Sequence, residues 1–216
     1  MSKMEELRKE YESNGVSESD LDDNPFRQFK LWFDKAIANC AADWFEPNAM
    51  TLSTSDLTGR VTSRTVLLKH FDESGYTFFT NYLSEKGQQI TANSHVCLLL
   101  HWPFQARQIR IDGKAARTPR EISQKYFHSR PRGAQIGACV SNQSQVAPTR
   151  AELDRQCQVL TERYQGIPIP LPENWGGYVV TPVRFEFWQG RVDRLHDRFR
   201  YQLISSGQWK RDRLYP

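Results

Sequence analysis

Strand-like segments of this chain come in two blocks, and most of its helical segments lie between them. That segregation argues for an α+β fold built on an antiparallel sheet or barrel with flanking helices. The first block follows Pro47. Segments 49–54 and 60–69 flank the turn-like Asp56-Leu57-Thr58-Gly59 as a hairpin, and 76–80, 96–101 and 108–115 follow as strands. Within this block Ser84 is placed to cap a short helix running to about residue 92. A helical region starts near Pro119, includes Tyr126 and is interrupted by Pro131. A longer helix, 150–164, carries Leu153, Cys157, Leu160 and Tyr164 on one stripe. The proline-rich Ile167-Pro168-Ile169-Pro170-Leu171-Pro172 reads as extended chain. Segments 178–180, 184–188, 194–201 and 208–211 form the second strand block.

Ahead of the first block, Pro25 opens a helix. Phe26, Phe29, Phe33, Ile37 and Cys40 make its apolar stripe, widened by Trp32 and Ala36. Residues 1–24 are polar and acidic, with one helical pattern near 7–11, and read as a mobile arm. No internal repeat or linker divides the rest, so 25–216 is expected to be a single domain. The whole chain of 216 residues, 38% apolar, suffices for one sizeable core.

Several function classes recede at once. No run of eighteen apolar residues is present, so nothing spans a membrane, and Met1-Ser2-Lys3-Met4-Glu5-Glu6 is no signal segment. Cys40, Cys97, Cys139 and Cys157 form no CxxC pair and the five histidines show no ligand spacing, so no metal is expected and a reduced, cytoplasmic chain is. A net charge of +4 is too small to imply nucleic acid, yet suits a small anionic ligand. No P-loop, GxGxxG or Ser-His-Asp order occurs.

What could carry chemistry is a set of cations. Along 187–199, read as a turn feeding a strand, alternation puts Arg194, His196 and Arg198 on one face with no carboxylate between them. Such a surface suits an anion; the bland alternative is a basic edge strand that resists pairing. Arg64 and Lys69 lie five apart, so in a regular strand they face opposite ways. They serve two ligands or parts of one, a bulge re-aims one, or both simply snorkel at the surface. Tyr126 and Arg130 share a helix face and could clamp one phosphate, or mark an ordinary helix end. Lys86 near a helix N-terminus would favour an anion, against the opposing charge of Glu85. Gln108, Gln143 and Ser144 are weak signals for a heterocycle or phosphate. Trp188 stacks on a ring or fills core.

Taken in order, Arg64-Thr-Val-Leu-Leu-Lys69, Phe79-Thr80-Asn81, Tyr126-Phe-His-Ser-Arg-Pro131, Gln135-Ile-Gly-Ala138, Gln143-Ser144, Trp175-Gly-Gly177, Phe187-Trp-Gln-Gly190, Arg194-Leu-His-Asp-Arg198 and Arg213-Leu-Tyr-Pro216 resemble the pyridoxine/pyridoxamine 5′-phosphate oxidase family. The resemblance runs from about Leu7 to the last residue. It implies an FMN-binding split β-barrel, homodimeric with a flavin at each interface. The implied reaction oxidises pyridoxine or pyridoxamine phosphate to pyridoxal phosphate: a hydride leaves the C4′ carbon for flavin N5, and O2 is reduced to peroxide. By resemblance Arg64 and Lys86 hold the FMN phosphate. Thr65, Val66, Leu67, Lys69, Phe79, Thr80, Gln108, Gln143, Ser144, Trp188 and Arg198 line the rest of the flavin site. Lys69, Tyr126 and Arg130 would grip the substrate phosphate, Arg194 and His196 would cover its pyridine ring as the catalytic pair, and Arg8 and Tyr11 would belong to a lid. Three positions depart from the family pattern: Glu85 stands where Arg is common, Ala134 where serine is usual, and Phe79 where Tyr is common. A related split-barrel oxidase of the phenazine type and a low-turnover flavin or pyridoxal-phosphate carrier are the competing readings; a nucleic-acid binder is disfavoured by the modest charge.

Overall fold

Asn24 starts the first helix, α1 (Pro25–Ala38): its side chain accepts from the Phe26 and Arg27 amides at 2.8 and 3.3 Å, and Pro25 takes a position where no N–H is needed. The computed structural model describes residues 11, 13, 15–147 and 149–216. The buried face of α1 holds Phe29, Trp32 and Ala36 of the expected stripe, with Pro25 and Gln28, while Phe26 and Phe33 are half-buried against Phe185 and Trp102. Ile37 is 53% exposed, and Cys40 lies past the helix end at Ala38. The Trp32 ring, which meets Phe187 edge-on at 5.3 Å, draws the buried face towards its own side.

Among the described residues nine strands follow: β1 (Ala49–Ser55), β2 (Val61–Leu67), β3 (His70–Asp72), β4 (Gly75–Asn81), β5 (His95–Trp102), β6 (Arg107–Arg117), β7 (Trp175–Gln189), β8 (Asp197–Leu203) and β9 (Trp209–Leu214). They hydrogen-bond in the order β2-β1-β5-β6-β7-β4-β3, with β8 on β7 and β9 on β8. The helices α2 (Glu85–Ala92), α3 (Arg120–Ser129), α4 (Arg132–Val140) and α5 (Arg150–Arg163) complete the α+β arrangement read from the sequence.

Three expectations change. Segments 178–180 and 184–188 are one strand, β7, whose first part pairs antiparallel with β4 (Tyr76 opposite Val180) and whose last part pairs with β8 (Arg184 opposite Gln202). Pro182 falls in the gap between those registers, which is why it does not break the strand. The short β3 carried no sequence signal. Segment 194–201 is not a single strand: Val192–Arg194 forms a 3₁₀ turn, and β8 begins only at Asp197.

Packing divides the chain into two compact units. The first comprises the described residues up to 52, with 97–113 and 182–216. Its interior includes Phe29, Met50, Leu52, Trp102, Ile109, Phe185, Phe187 and Phe199. Residues 15–24 are tied to it: the Val16 amide donates to Asp197 Oδ2 at 2.9 Å, and Arg213 bridges Glu18 and Asp197 at 2.6 Å each. Arg8 and most of the 7–11 pattern lie outside the described residues.

The second unit comprises 53–96 and 114–181. Tyr76, Phe78 and Tyr178 are buried in it, and Phe127, Ile136, Ile169 and Trp175 form a cluster. Against that cluster pack Cys157, Leu160 and Tyr164 from the α5 stripe and its end. Among the described residues no helix is long and apolar enough to cross a membrane.

Candidate active site

One cavity of about 790 Å³ lies within the second unit. Arg64, Thr65, Val66, Leu67, Lys69, Phe79, Thr80, Lys86, Tyr126, Arg130, Gln143 and Ser144, all singled out from the sequence, line it together with Glu85 and Ala134. The parity problem of Arg64 and Lys69 resolves without a bulge. Strand β2 stops at Leu67, and the Lys69 amide already donates to the Thr77 carbonyl at 2.9 Å, so Lys69 is re-aimed by the turn into β3.

At one end sit two cations. Ser84 caps α2, accepting from the Gly87 amide, and Lys86 follows in the first turn. Lys86 is buried; its Nζ donates to Gln143 Oε1 at 2.9 Å, Thr80 Oγ1 at 3.2 Å and Ser84 Oγ at 3.3 Å, and pairs with no carboxylate among the described residues. Burial, and then the Arg64 charge, lower its pKa from 10.5 to about 8. The carboxylate that lines this end, Glu85, is drawn to Arg60 at 3.3 Å. A buried ammonium answered only by neutral oxygens, beside a guanidinium, suits an anion such as a phosphate.

Elsewhere in the cavity aromatic rings set the geometry. Tyr126 stacks on Phe79 at 3.9 Å, and Phe79 stacks on Trp175 at 5.6 Å. The hydroxyl missing from Phe79 is therefore not needed for this packing. Arg130 ends α3 with φ −75° and ψ 150°, the extended backbone a following proline demands. Its guanidinium lies 4.8 Å from the Trp175 ring centre, and its Nη1 is buried without a hydrogen-bond partner. Burial lowers its pKa. An unsatisfied buried donor of this kind is what an anion would complete. The donors present thus fit a phosphate at each of two places in the cavity.

Gln108, Trp188, Arg194, His196 and Arg198 belong to the first unit, and none lines the cavity. The common strand face expected of Arg194, His196 and Arg198 does not exist. Asp193 and Arg194 have φ of 56° and 60°, a left-handed turn that strand alternation does not describe. Arg194 is exposed and His196 half-buried. Tyr11, Trp188 and His196 instead form a ring cluster, with centroids at 4.7 Å (Trp188–His196), 5.6 Å (Tyr11–Trp188) and 5.7 Å (Tyr11–His196). The Arg191 amide donates to His196 Nδ1 at 3.1 Å, so the neutral ring carries its proton on Nε2. Burial, and then Arg194, lower its pKa. Asp197 turns away to Val16 and Arg213, so no relay joins it to His196.

Nor is the face free of carboxylates: Glu186 accepts from Arg198 Nε and Nη2 at 2.9 and 2.8 Å. The partner lies across the β7–β8 ladder, which a single strand's pattern cannot reveal. The sequence reading also missed buried Thr54 and Gln89 and half-buried Thr62, which bind one another and Arg64. Their one available signal was Gln89 lying three residues after Lys86 on the same helix. Among the described residues no group of three or more His, Cys, Asp or Glu side chains is placed to hold a metal.

Comparison with known proteins places these features. A family model described as Pyridoxamine 5′-phosphate oxidase matches residues 34–163, and a second, Pyridoxine 5′-phosphate oxidase C-terminal dimerisation region, matches 175–216. The chain is 50% identical over 216 residues to the pyridoxine/pyridoxamine 5′-phosphate oxidase of Rhodopirellula baltica, covering 99% of this chain and 96% of that one. It is 50% identical over 212 residues to the protein of the same name from Crocosphaera subtropica, covering 97% and 98%. Among solved structures, PhzG from Burkholderia lata 383 in complex with tetrahydrophenazine-1-carboxylic acid superposes with a TM-score of 0.86 at 28% identity, over 94% of this chain and 98% of that one. A pyridoxamine 5′-phosphate oxidase-related, FMN binding protein from Nostoc punctiforme gives 0.72 at 16% identity, over 91% and 100%, a likeness of fold. The fold is the FMN-binding split barrel.

Proposed function

This chain belongs to the pyridoxine/pyridoxamine 5′-phosphate oxidase family, and from that premise we propose that it is a cytoplasmic, homodimeric, FMN-dependent enzyme oxidising pyridoxine or pyridoxamine 5′-phosphate to pyridoxal 5′-phosphate. The observation that carries the reading is the presence of two anion sites in one cavity: Arg64 with buried Lys86, and Arg130 with its unpaired buried Nη1 beside Tyr126. Two phosphates, one on the flavin and one on the substrate, answer to two such sites. The match of 175–216 to a dimerisation region supports the homodimer.

When bound, FMN supplies the acceptor for the hydride leaving the substrate's C4′ carbon and returns the electrons to O2 as peroxide. The chain's own residues bind and orient. Arg64 and Lys86 would hold the flavin phosphate and Thr65, Val66, Leu67, Lys69, Phe79, Thr80, Gln143 and Ser144 the rest, while Gln108, Trp188 and Arg198 are flavin contacts by family resemblance. Lys69, Tyr126 and Arg130 fix the substrate phosphate, so that the reacting carbon is located by a group remote from it. Arg194 and His196 cover the pyridine ring, His196 keeping its proton on Nε2 and offering it to a substrate heteroatom. Tyr11, which meets both Trp188 and His196, would close over the ring; Arg8, the other lid residue the resemblance implies, lies outside the described residues.

The test is an anaerobic absorption spectrum of the FMN-loaded protein before and after pyridoxine phosphate is added. Bleaching that air restores supports the assignment. The similarity to PhzG, together with Ala134 in the cavity lining, favours one second reading, an oxidase of the phenazine type acting on a substrate without a phosphate. A flavin left oxidised by pyridoxine phosphate, yet bleached by a reduced phosphate-free heterocycle, would establish that reading instead.

A further inference from the structure

We propose that Gln89 is a positioning residue that sets the preference of this site for FMN over riboflavin, acting through Thr54 and Thr62 on Arg64. The inference rests on the reading of Arg64 and Lys86 as the flavin-phosphate site. Arg64 Nη1 donates to Thr54 Oγ1 at 2.6 Å, and Nη2 donates to Thr62 Oγ1. Thr54 Oγ1 and Thr62 Oγ1 in turn lie 2.5 and 2.8 Å from Gln89 Oε1. The direction of these bonds is fixed by chemistry. A guanidinium only donates, so each threonine oxygen accepts from Arg64 and must send its own proton onward. Both protons converge on one atom, which must be an acceptor with two lone pairs.

That requirement explains an otherwise costly feature. With Oε1 committed to the two threonines, Gln89 Nε2 is buried without a hydrogen-bond partner. An unsatisfied buried donor is a penalty the fold carries where the opposite end of the group is needed. Gln89 is 5% exposed and lies three residues after Lys86, so both face the same side of α2. One helix therefore delivers the lysine directly and holds the plane of the arginine fork at both of its terminal nitrogens. Thr62 lines the cavity whereas Thr54 and Gln89 do not, so an effect of Gln89 must travel through Arg64 or Thr62. The effect should fall on phosphate recognition and spare the isoalloxazine ring, which distinguishes it from a general contribution to folding.

The experiment measures dissociation constants of FMN and of riboflavin by flavin fluorescence for the wild type, Gln89→Leu, Thr62→Val, Thr62→Ser and Lys86→Ala. Gln89→Leu and Thr62→Val are expected to weaken FMN about tenfold, the scale of one charge-assisted hydrogen bond, and to leave riboflavin within about twofold. Thr62→Ser, which keeps the hydroxyl, should retain the wild-type ratio. Should Gln89→Leu fail to fold, Thr62→Val carries the same test. Equal weakening of both flavins, or an unchanged ratio in Gln89→Leu and Thr62→Val while Lys86→Ala lowers it, overturns the role of Gln89 and leaves the phosphate site standing. An unchanged ratio in Lys86→Ala overturns the phosphate-site reading and this inference with it.

Discussion

The cavity of the second unit and the 190–197 turn of the first are built in opposite ways. In the cavity the charged groups stand on, or at the ends of, regular elements, and their orientation is set before any ligand arrives. Lys86 has three oxygen partners, and Arg64 is held through two threonines and a glutamine. The turn rests on two consecutive left-handed residues, Asp193 and Arg194, a conformation that costs of order 1–3 kcal/mol for a non-glycine residue. Arg194 is exposed there, and His196 is fixed chiefly by one backbone amide and two aromatic rings. A prepaid network suits tight, lasting binding of a cofactor. A strained and sparsely supported turn suits a group that engages only while substrate is present.

The largest expected effect follows from that division. Arg194→Ala should lower kcat/KM about a hundredfold, on the scale of a charge-assisted contact made to substrate, while FMN content after purification stays at the wild-type level. A variant that came off the column without flavin would place Arg194 with the binding network and erase the contrast.

Next in size is a pH effect confined to the cavity. The Lys86 pKa is lowered to about 8 from 10.5 in the absence of ligand, so its charge is lost as pH rises through 8. FMN binding should therefore weaken by about tenfold between pH 7 and 9.5, the loss of one charge-assisted bond, whereas riboflavin binding should not. Stability of the flavin-free protein runs the other way. Between pH 8 and 10.5 the unfolded chain still holds the proton that the folded chain has released, so stability rises across that window. Titrations of FMN and riboflavin at several pH values, with melting curves of the flavin-free protein, check both signs. Parallel losses for the two flavins would remove Lys86 from the phosphate site.

The same contrast explains what the sequence made legible. The cavity residues were readable because their spacing is that of regular elements: Ser84 and Lys86 at a capped helix start, Tyr126 and Arg130 four apart, Arg64 on a strand between turn signals. Where a regular element was assumed and absent, the reading failed. Alternation cannot be applied across Arg194 to His196, because a left-handed pair of ordinary residues leaves no glycine to announce it. Partners that cross strands were equally hidden: Glu186 holds Arg198, and Thr54 meets Gln89 from 35 positions away. The α1 stripe was legible over most of its length, with Phe29, Trp32 and Ala36 buried and Phe26 and Phe33 packed against other rings; only at its end, where Ile37 is exposed and Cys40 lies past the helix, does helical spacing fail to show where packing stops.

Within the cavity, Ala134→Ser tests the substrate-phosphate end. A hydroxyl added beside Tyr126 and Arg130 should lower KM for pyridoxine phosphate about fivefold, the value of one neutral hydrogen bond of about 1 kcal/mol, with little change in FMN affinity. An unchanged KM would put residue 134 outside the clamp. The effect should be smaller than that of Arg194→Ala because it adds one bond to a site already carrying three cationic or phenolic donors.

The smallest effect expected is at Glu85, where two influences oppose. Its carboxylate lines the cavity and repels a phosphate, yet it also raises the pKa of both Arg64 and Lys86 and is drawn aside by Arg60. Glu85→Gln removes the repulsion, so FMN should bind about threefold tighter at pH 7, within the range of a partly exposed charge interaction. It also removes support for the Lys86 proton, so the fall in FMN affinity should begin at lower pH than in the wild type, and the gain should vanish above pH 8. The two changes have one electrostatic cause and must appear together. Tighter binding with an unshifted pH profile would mean that Glu85 acts on the phosphate alone; a shifted profile without tighter binding would mean that Arg60 already screens it from the ligand.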